Sequence, residues 1–449
     1  MAHQARALGR PIRGGRHRTL ALVIMWLLVW RLVIPGFFEY DDGKGGTTTT
    51  FADMVQQEAL FNNILWFGLL GLALFIVGSQ MAAARSVVKS LNPFFTLMIV
   101  LAGSSVLWSL DPKASAARLS HAVIIAVVCA AAALAGGWNP RRFQEIMRPI
   151  LTGLLIGSVL FAALYPDLAI TAPIPPDTRY YWHGLASHKN GFGTIAGSTA
   201  IFWVHAWLSK EVNSLKALGG LVLSAVCLVL ARSSTALMAT AFSAMFMLLL
   251  MRSPGSLRRY MPYLVGGFAV LVLVYAIAVL KLVPGLDILL TPITALTGKD
   301  TTFTDRTRIW DVIENHIRQS PWLGTGYGGY WVGPYPTSAS YVFLSIMYIY
   351  PWESHNGYLD IVNDLGYIGM GCLIAYIVVY LRQSLSLMRT QKAQATLYLG
   401  FVFQGLVTNL SESLWFKPDF WLVTITFATF AMARGVAETA AQGQSRGRR

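Results

Sequence analysis

The chain has 449 residues, of which 55% are hydrophobic and only 12% are charged. An average soluble domain is roughly 25% charged, whereas here apolar runs of roughly 18 residues or more, the length of a membrane span, recur along almost the whole chain. Composition therefore excludes a soluble domain and predicts an all-α polytopic membrane protein. The net charge of +14 would suit a nucleic-acid-binding protein, but the positions of the basic residues argue against that class.

Twelve apolar segments are predicted to be transmembrane helices, nine before a long polar loop and three after it. They lie at 20–37, 60–78, 93–110, 119–136, 147–165, 190–208, 217–232, 234–251, 261–280, 358–381, 396–412 and 418–434. The chain accordingly divides into a basic arm at 1–19, transmembrane helices 1–9 at 20–280, a large and partly helical loop at 281–357, helices 10–12 at 358–434, and a tail at 435–449. Three cysteines lie inside apolar runs, so no disulfide framework is expected.

The positions of Lys and Arg predict the orientation of these helices. Of the 35 basic residues, 22 lie in the N-terminal arm, in every second loop, and in the tail together with Arg434 at the end of the last span. Cytoplasmic loops carry an excess of Lys and Arg, so we expect both termini in the cytoplasm and the 281–357 loop on the periplasmic face. The positive charge then reflects topology and contact with membrane lipids, some of them anionic. No nucleic acid is expected as a partner.

Within the long loop, residues 305–319 have apolar side chains at helical spacing. At roughly 100° per residue, Arg306 lies on the same face as Trp310 and Ile313, whereas Arg308 points about 160° away from Trp310. The apolar face has to pack on the membrane domain. We therefore expect Arg306 to point inward, and Arg308 to point toward solvent or lipid headgroups.

Four groups of polar residues lie at the predicted outer ends of spans. They are His188-Lys189-Asn190 before the sixth span, Arg232 between the seventh and eighth, Arg306 on the loop helix, and Glu353-Ser354-His355-Asn356 before the tenth. Ionisable groups at membrane depth are costly and are kept where they have partners or ligands. Packing of the helices would bring all four groups to one outward-facing cavity.

The residue types in this cavity suit the transfer of a glycosyl group from a lipid diphosphate. Arg and Lys side chains bind phosphate groups, and a neutral His355 beside Glu353 can take a proton from a hydroxyl. The cations would stabilise the diphosphate as it departs. The sequence has no Asp-x-Asp pair, no His-Glu-x-x-His and no Cys/His cluster, so we expect neither a metal nor another cofactor.

Each of these residues also has a structural interpretation. His355 can cap a helix or lie at the membrane interface, and Lys189, Arg306 and Arg308 can anchor in lipid headgroups. Arg232 can extend its head toward the membrane surface. The glycine-rich run at 324–329 lacks the Gly-Lys-Ser/Thr of a phosphate-binding loop, and is predicted to form a flexible or tight turn.

Six short motifs occur in order between residues 188 and 370. They are His188-Lys189-Asn190-x-x-Gly193, Arg232-Ser233-Ser234-Thr235-Ala236, Arg306-x-x-x-Trp310, Pro321-Trp322-Leu323-Gly324-x-Gly326-x-Gly328, His355-Asn356-x-Tyr358-Leu359 and Leu365-Gly366-x-x-Gly369. In this order and spacing the chain resembles the O-antigen ligase/polymerase superfamily of bacterial envelope enzymes. Outside this region the resemblance extends only to the number and hydrophobicity of the spans.

The resemblance implies a metal-independent, inverting glycosyltransferase of the GT-C-like membrane class in the bacterial inner membrane, with an undecaprenyl-diphosphate-linked glycan as donor. It implies that Arg232 and Arg306 bind the diphosphate and that His355 activates the acceptor hydroxyl. The predicted catalytic residues are therefore His355, Arg306 and Arg232. The predicted substrate-binding residues are Lys189, His188, Asn190, Arg308, Glu353, Asn356 and Trp310.

Two activities remain open within this superfamily. A polymerase transfers the growing chain to a new lipid-linked repeat unit, whereas a ligase transfers the finished glycan to lipid A–core. The His-Lys-Asn, Arg-x-x-x-Trp and Gly-x-Gly-x-Gly details resemble the exopolysaccharide-polymerase branch more closely, so a polymerase is predicted. By the same resemblance, a chain-length regulator or a flippase is expected as a partner.

A lipid-linked oligosaccharide transporter is the alternative from another functional class, because twelve spans also suit that task. Transporters commonly contain internal repeats and helices broken at the membrane midplane. This sequence has no matching halves, and its one large outer loop is asymmetric. Both features disfavour the transporter.

Overall fold

The computed structural model describes residues 14–34, 51–172, 180–254, 259–279, 306–348 and 350–446. Parts of the predicted basic arm and of the predicted outer loop, including residues 1–13 and 280–305, lie outside the described residues. The described chain is almost entirely helical. Its strands are Ile170–Thr171 and Tyr181–Trp182, which pair antiparallel with Ile170 opposite Trp182.

Sixteen α-helices are described in chain order. They are α1 Gly14–Val33, α2 Phe51–Ser79, α3 Met81–Ser90, α4 Pro93–Ser105, α5 Pro112–Leu134, α6 Arg142–Leu164, α7 Pro166–Ala169, α8 Lys189–Leu208, α9 Ser214–Leu230, α10 Ser234–Arg252, α11 Met261–Val279, α12 Arg306–Ile317, α13 Val342–Met347, α14 Gly357–Leu387, α15 Lys392–Thr408 and α16 Phe420–Arg446. Short 3₁₀ turns follow α4 at Val106–Trp108 and precede α13 at Ala339–Tyr341.

Every predicted span overlaps one of these helices, and the all-α polytopic membrane architecture is confirmed. Six helices in the described part of the chain are both long and apolar enough to cross a membrane. A seventh crossing results if α3 and α4, which are bent by 93° at their junction, form one broken span. Helices such as α9 are apolar but shorter, so the number twelve stays a prediction.

Several helices begin at residues that cap their free amide groups. Asn92 precedes Pro93 at the start of α4, Asp111 caps α5, and the Ser233 hydroxyl accepts from the amide of Ala236 at the start of α10. Side-chain oxygens at this position satisfy amides that have no partner within the helix. These local sequence signals explain where the helices start, and two further caps, described below, belong to the candidate site.

Helix α16 lies at the centre of the bundle, where it packs against α3, α5, α6 and α14. An aromatic cluster joins it to its neighbours: the Phe143 ring lies 5.3 Å from that of Phe427 and 5.5 Å from that of Phe401. The lateral helices expose many apolar side chains instead, such as Phe67 and Leu74 on α2. Apolar surface facing outward is the pattern expected of helices that face lipid.

The glycine-rich segment that follows α12 fills a break in α14. The break lies at Gly366, whose backbone dihedral angles (φ 66°, ψ −169°) are far from helical. Peptide groups beside a helix break need other hydrogen-bond partners. The amide of Thr325 donates to the carbonyl of Asn363 at 2.9 Å, and the amide of Tyr367 donates to the carbonyl of Pro321 at 2.8 Å.

This insertion requires glycine because the two backbones approach closely. Gly324 has φ +66°, and a Cβ atom there would lie 2.5 Å from the backbone of Asp364. The amide of Gly328 donates to the Asp364 carboxylate at 2.7 Å, while its carbonyl accepts from Arg118. The glycine-rich segment, which the sequence predicted to be either a flexible or a tight turn, is thus a tight turn.

The predicted basic loops lie together at one end of the bundle. Arg148 forms an ion pair of 2.9 Å with Glu211, which joins the loops around residues 137–149 and 209–216. Lys392 donates to the carbonyl of Ser253 at 3.2 Å and so joins two more of them. The motifs between residues 188 and 370 are gathered around the opposite end of the same helices. This separation is what an alternating topology predicts.

Candidate functional site

Helix α12 carries Arg306 against the membrane bundle. Ile309, Trp310, Ile313 and Ile317 are buried in a small apolar cluster, as their helical spacing predicts. The guanidinium of Arg306 is on this side and donates to the carbonyl of Ser411 and, at 3.2 Å, to the carboxylate of Glu412. The exposed Arg308 does not join this group of contacts.

Glu412 connects three of the four predicted polar groups, and no sequence pattern predicted it. Its side chain is only 5% exposed. One carboxylate oxygen accepts from Asn190 at 2.8 Å and from Arg306 at 3.2 Å, and the other lies 3.9 Å from Nδ1 of His355. A carboxylate at the very end of the eleventh predicted span was the sequence signal that could have revealed it.

His355 lies between two carboxylates. Its Nδ1 atom is 3.1 Å from a carboxylate oxygen of Glu353 and 3.9 Å from one of Glu412. The backbone of His355 has φ +54°, a conformation that residues other than glycine adopt rarely and that occurs preferentially at functional sites. With Nδ1 facing the carboxylates, Nε2 is the ring nitrogen left for a substrate.

Two neighbouring residues hold the His355 backbone in place. The indole of Trp310 donates to the carbonyl of Ser354 at 3.0 Å, and Asn356 caps α14 by accepting from the amides of Tyr358 and Leu359. Trp310 and Asn356 are both buried. The structure therefore gives these two predicted substrate-binding residues positioning contacts within the protein.

The two carboxylates change the proton affinity of His355. Burial alone would lower its pKa, but the negative charges of Glu353 and Glu412 outweigh burial and raise the pKa to about 9. With a pKa of about 9, His355 has to lose a proton before it can act as the neutral base that the residue types suggest. Glu353 is close to His355 in the sequence, whereas Glu412 comes from a distant turn and reaches the histidine only in the folded protein.

Glu353 also pairs with a cation that the sequence analysis did not identify. Lys417 donates to the carboxylate oxygen of Glu353 that does not face His355. Burial alone would raise the pKa of Glu353, but Lys417 and His355 together hold it well below its usual value. The same ion pair raises the pKa of Lys417 in spite of burial. Glu353 is therefore ionised and places a negative charge 3.1 Å from Nδ1 of His355.

The motif at the start of α8 lies near the same carboxylates. Asn190 binds Glu412 directly, while His188 caps the helix by accepting from the amide of Gly191 at 3.1 Å. Burial lowers the pKa of His188, against the opposing influence of the Glu412 charge. The ammonium group of Lys189 lies over the Tyr181 ring, 4.3 Å from its centroid. His188 is thus neutral at pH 7, and both residues lie at the edge of the site.

Arg232 occupies the turn between α9 and α10, with φ +51°. The turn is fixed beside the site because the hydroxyl of Thr235 lies 2.6 Å from that of Ser411, whose carbonyl accepts from Arg306. The Arg232 side chain is exposed and has no hydrogen bond or ion pair with any residue that the structure describes.

Three side chains of the site could also coordinate a cation. Glu353, His355 and Glu412 offer ligand atoms that all lie within 4.8 Å of one another. The two carboxylates, however, already pair with Lys417 and Arg306. A metal ion would have to compete with both of these cations and with the proton of His355.

Comparison with known proteins gives matches that include much of this site. Residues 219–374 match the family model described as O-Antigen ligase. The exopolysaccharide production protein ExoQ from Rhizobium meliloti (strain 1021) is 28% identical over 296 residues, which cover 62% of this chain and 62% of that protein. The chain thus spans less than two thirds of the relative's length. Together these findings confirm the resemblance to the O-antigen ligase/polymerase superfamily.

Proposed function

We propose that this multi-pass membrane protein is a glycosyltransferase that moves a glycan from an undecaprenyl-diphosphate donor to a sugar hydroxyl. The observation that carries the proposal is the position of His355 between Glu353 and Glu412, with Arg306 bound to the same Glu412. A proton-transfer group and a phosphate-binding group thereby share one buried carboxylate. The resemblance to envelope polysaccharide enzymes supports the same reaction class.

Arg306 and Arg232 are assigned to the donor diphosphate. In the described structure, two of the nitrogen atoms of Arg306 donate to Ser411 and Glu412. A guanidinium has five N–H donors in all, so Arg306 can keep these contacts and still bind a phosphate. Arg232, exposed and unpaired among the described residues, supplies a second cation. Lys189, at the edge of the site, adds a third charge.

His355 is assigned as the base for the acceptor hydroxyl. The hydroxyl proton moves to Nε2, the oxygen forms a bond to the anomeric carbon, and the bond from that carbon to the diphosphate breaks with its electron pair on the diphosphate. A single displacement of this kind inverts the anomeric configuration. Because its pKa is about 9, His355 must first lose a proton, and Glu353 and Glu412 then stabilise the imidazolium that forms.

Metal independence is part of the proposal. In many glycosyl transfers a divalent cation neutralises the departing diphosphate. Here Arg306 and Arg232 would supply that charge, and the carboxylates that could hold a metal are paired with Arg306 and Lys417. We also propose that the protein resides in the bacterial inner membrane, with both termini cytoplasmic and the site periplasmic, on the basis of the Lys and Arg distribution.

Polymerase is the preferred activity, and ligation to lipid A–core is the second candidate. The similarity to an exopolysaccharide production protein favours the polymerase. The family model, described as O-Antigen ligase, favours the ligase. A chain-length regulator or a flippase is the partner class that we infer from the resemblance, together with membrane lipids.

The test is transfer in proteoliposomes that contain a lipid-diphosphate-linked repeat unit as the only substrate. A ladder of longer lipid-linked products is expected and would establish the polymerase. Product that forms only after lipid A–core is added would identify the ligase. Movement of the donor across the bilayer without transfer under either condition would reject the glycosyltransferase in favour of the transporter. His355→Ala is the matched variant, and its near-normal product would reject the assigned base.

A further inference from the structure

A second polar cleft adjoins His355 on the side of Glu353. Glu353 lines this cleft and is also 3.1 Å from His355, so one side chain separates the cleft from the proposed base. Its walls combine carboxylates with large aromatic rings, chiefly Glu353, Asp360, Asp364, Trp331, Trp352 and Trp415. The composition of this cleft differs from that of the surroundings of Glu412. There, the guanidinium of Arg306 and the amide of Asn190 donate to the carboxylate.

The charges in this cleft disfavour a phosphate group. Three carboxylates line it against two cations, Arg118 and Lys417. Lys417 is neutralised by Glu353, and Arg118 donates to the backbone carbonyls of Gly328 and Trp331. The formal charges of the lining thus nearly balance, and its carboxylates offer hydrogen-bond acceptors to the hydroxyl groups of an uncharged ligand.

The aromatic rings give the cleft an apolar platform. Trp352 lines the cleft with 62% of its surface exposed, and its backbone has φ +58°, which is rare for so large a side chain. Phe416, also in the lining, has φ +54°. Deeper in the wall, the indole of Trp331 donates to Asp360 at 3.0 Å and fixes that carboxylate. Strained backbone that presents an exposed ring is typical of binding sites.

The size of the cleft limits what it can hold. Its free volume is about 90 Å³, small beside the roughly 300–1,000 Å³ of pockets that enclose a drug-sized ligand. One edge of a single sugar ring fits such a space. The C–H face of that ring can then rest on Trp352, while its hydroxyl groups donate to the carboxylates.

We propose that this cleft is the acceptor subsite and binds the sugar ring whose hydroxyl reacts. This inference rests on the proposed glycosyl transfer and deepens it, because it gives the acceptor a subsite of its own. The diphosphate binds on the side of Arg306, and the acceptor sugar binds on the side of Glu353. The reacting hydroxyl extends from the cleft past Glu353 to Nε2 of His355, and the diphosphate departs on the side of Arg306.

The experiment measures equilibrium binding of a sugar without any donor. The probe is the repeat-unit oligosaccharide of the source strain, tritiated after hydrolysis from its lipid diphosphate, and the protein is the full chain in nanodiscs. We expect Trp352→Ala to weaken binding roughly tenfold, since an aromatic platform contributes at about this level. Trp352→Tyr keeps a ring and should stay close to wild type. Trp322→Ala is the matched control, because Trp322 is 68% exposed and lies outside the cleft.

Three results would overturn the subsite: unchanged binding by Trp352→Ala, an equal loss in Trp322→Ala, or no binding by the wild-type chain. Displacement of the oligosaccharide by inorganic pyrophosphate would also overturn it, because the cleft would then hold the donor. Transfer is measured on the same samples. Oligosaccharide binding that depends on Trp352, in a protein that transfers nothing, would sink the proposed function and keep the sugar site.

Discussion

His355 and Glu412 face each other at one end of the helix bundle, with Nδ1 of the histidine 3.9 Å from a carboxylate oxygen. They come from different turns, one before α14 and the other between α15 and α16. Glu412 also accepts from Arg306, so the proposed base and the proposed diphosphate ligand are tied to the same side chain. Changes at either residue should therefore affect both functions.

The first prediction concerns pH. Only neutral His355 can accept a proton, and with a pKa of about 9 roughly 1% of it is neutral at pH 7. Transfer should therefore rise about tenfold per pH unit below that pKa and level off above it. The measurement is kcat/KM for transfer as a function of pH. A profile that is flat or falls toward high pH would contradict the assignment of His355.

Glu353→Gln tests the cause of the raised pKa. The substitution removes one of the two negative charges that stabilise protonated His355, so the pKa of the histidine should fall. The inflection of the pH–rate profile should then move to lower pH, even if the maximal rate declines. An unchanged inflection would mean that Glu353 does not control the proton on His355. Glu314→Gln, an exposed carboxylate on α12, is the control.

The two arginines of α12 should differ strongly. Arg306→Ala removes the guanidinium next to Glu412, and we expect transfer to fall about 10²- to 10³-fold, the usual loss for a group that stabilises transition-state charge. Arg308→Ala alters only an exposed side chain and should have little effect. Both variants are assayed in proteoliposomes at equal protein density. The reverse ranking would reject the role given to Arg306.

Glu412→Gln should disturb both the position of Arg306 and the charge around His355. The amide can still accept from Asn190, but it loses the ion pair with Arg306 and the charge beside His355. Because misplacement of a catalytic group by about 1 Å can reduce the rate by about 10²-fold, we expect a loss of that order in kcat. Normal transfer by this variant would show that the shared carboxylate is dispensable.

Metal chelation gives a further test. Excess chelator should leave transfer unchanged, because Arg306 and Arg232 are proposed to neutralise the diphosphate. A loss of activity that magnesium or manganese restores would instead indicate that Glu353, His355 and Glu412 bind a cation, as the spacing of their ligand atoms permits. The wild-type protein without chelator, in the same buffer, is the reference.

Stability should depend on the insertion of the glycine-rich segment into the break in α14. Gly324→Ala forces a side chain onto a backbone with φ +66° and into the backbone of Asp364, and strain of this kind costs roughly 1–3 kcal/mol or more. Thermal unfolding in detergent should shift to lower temperature. Gly219→Ala is the control, since nothing lies within 4 Å of the added atom and the helix should be no less stable.

The sequence by itself determined the class of the protein, the approximate helices and the inward face of α12. These features follow from local patterns, since hydrophobic length defines a span and helical spacing decides which side of a helix is apolar. The sequence also identified Arg306 and His355, because ionisable residues are conspicuous in an apolar chain. The alternating topology predicted that the polar groups would lie at one end of the bundle. The contacts of Asn190, Arg306 and His355 with Glu412 agree with that prediction.

Only the tertiary structure decided which groups touch. Glu412 and Lys417 lie in a short turn far along the chain from His355, and no periodicity links them to it. Their contacts arise when α14, α15 and α16 pack together, and they raise the pKa of the histidine because a proton affinity depends on every charge nearby. The cleft beside Glu353 likewise exists only where Trp331, Trp352 and Trp415 meet in space.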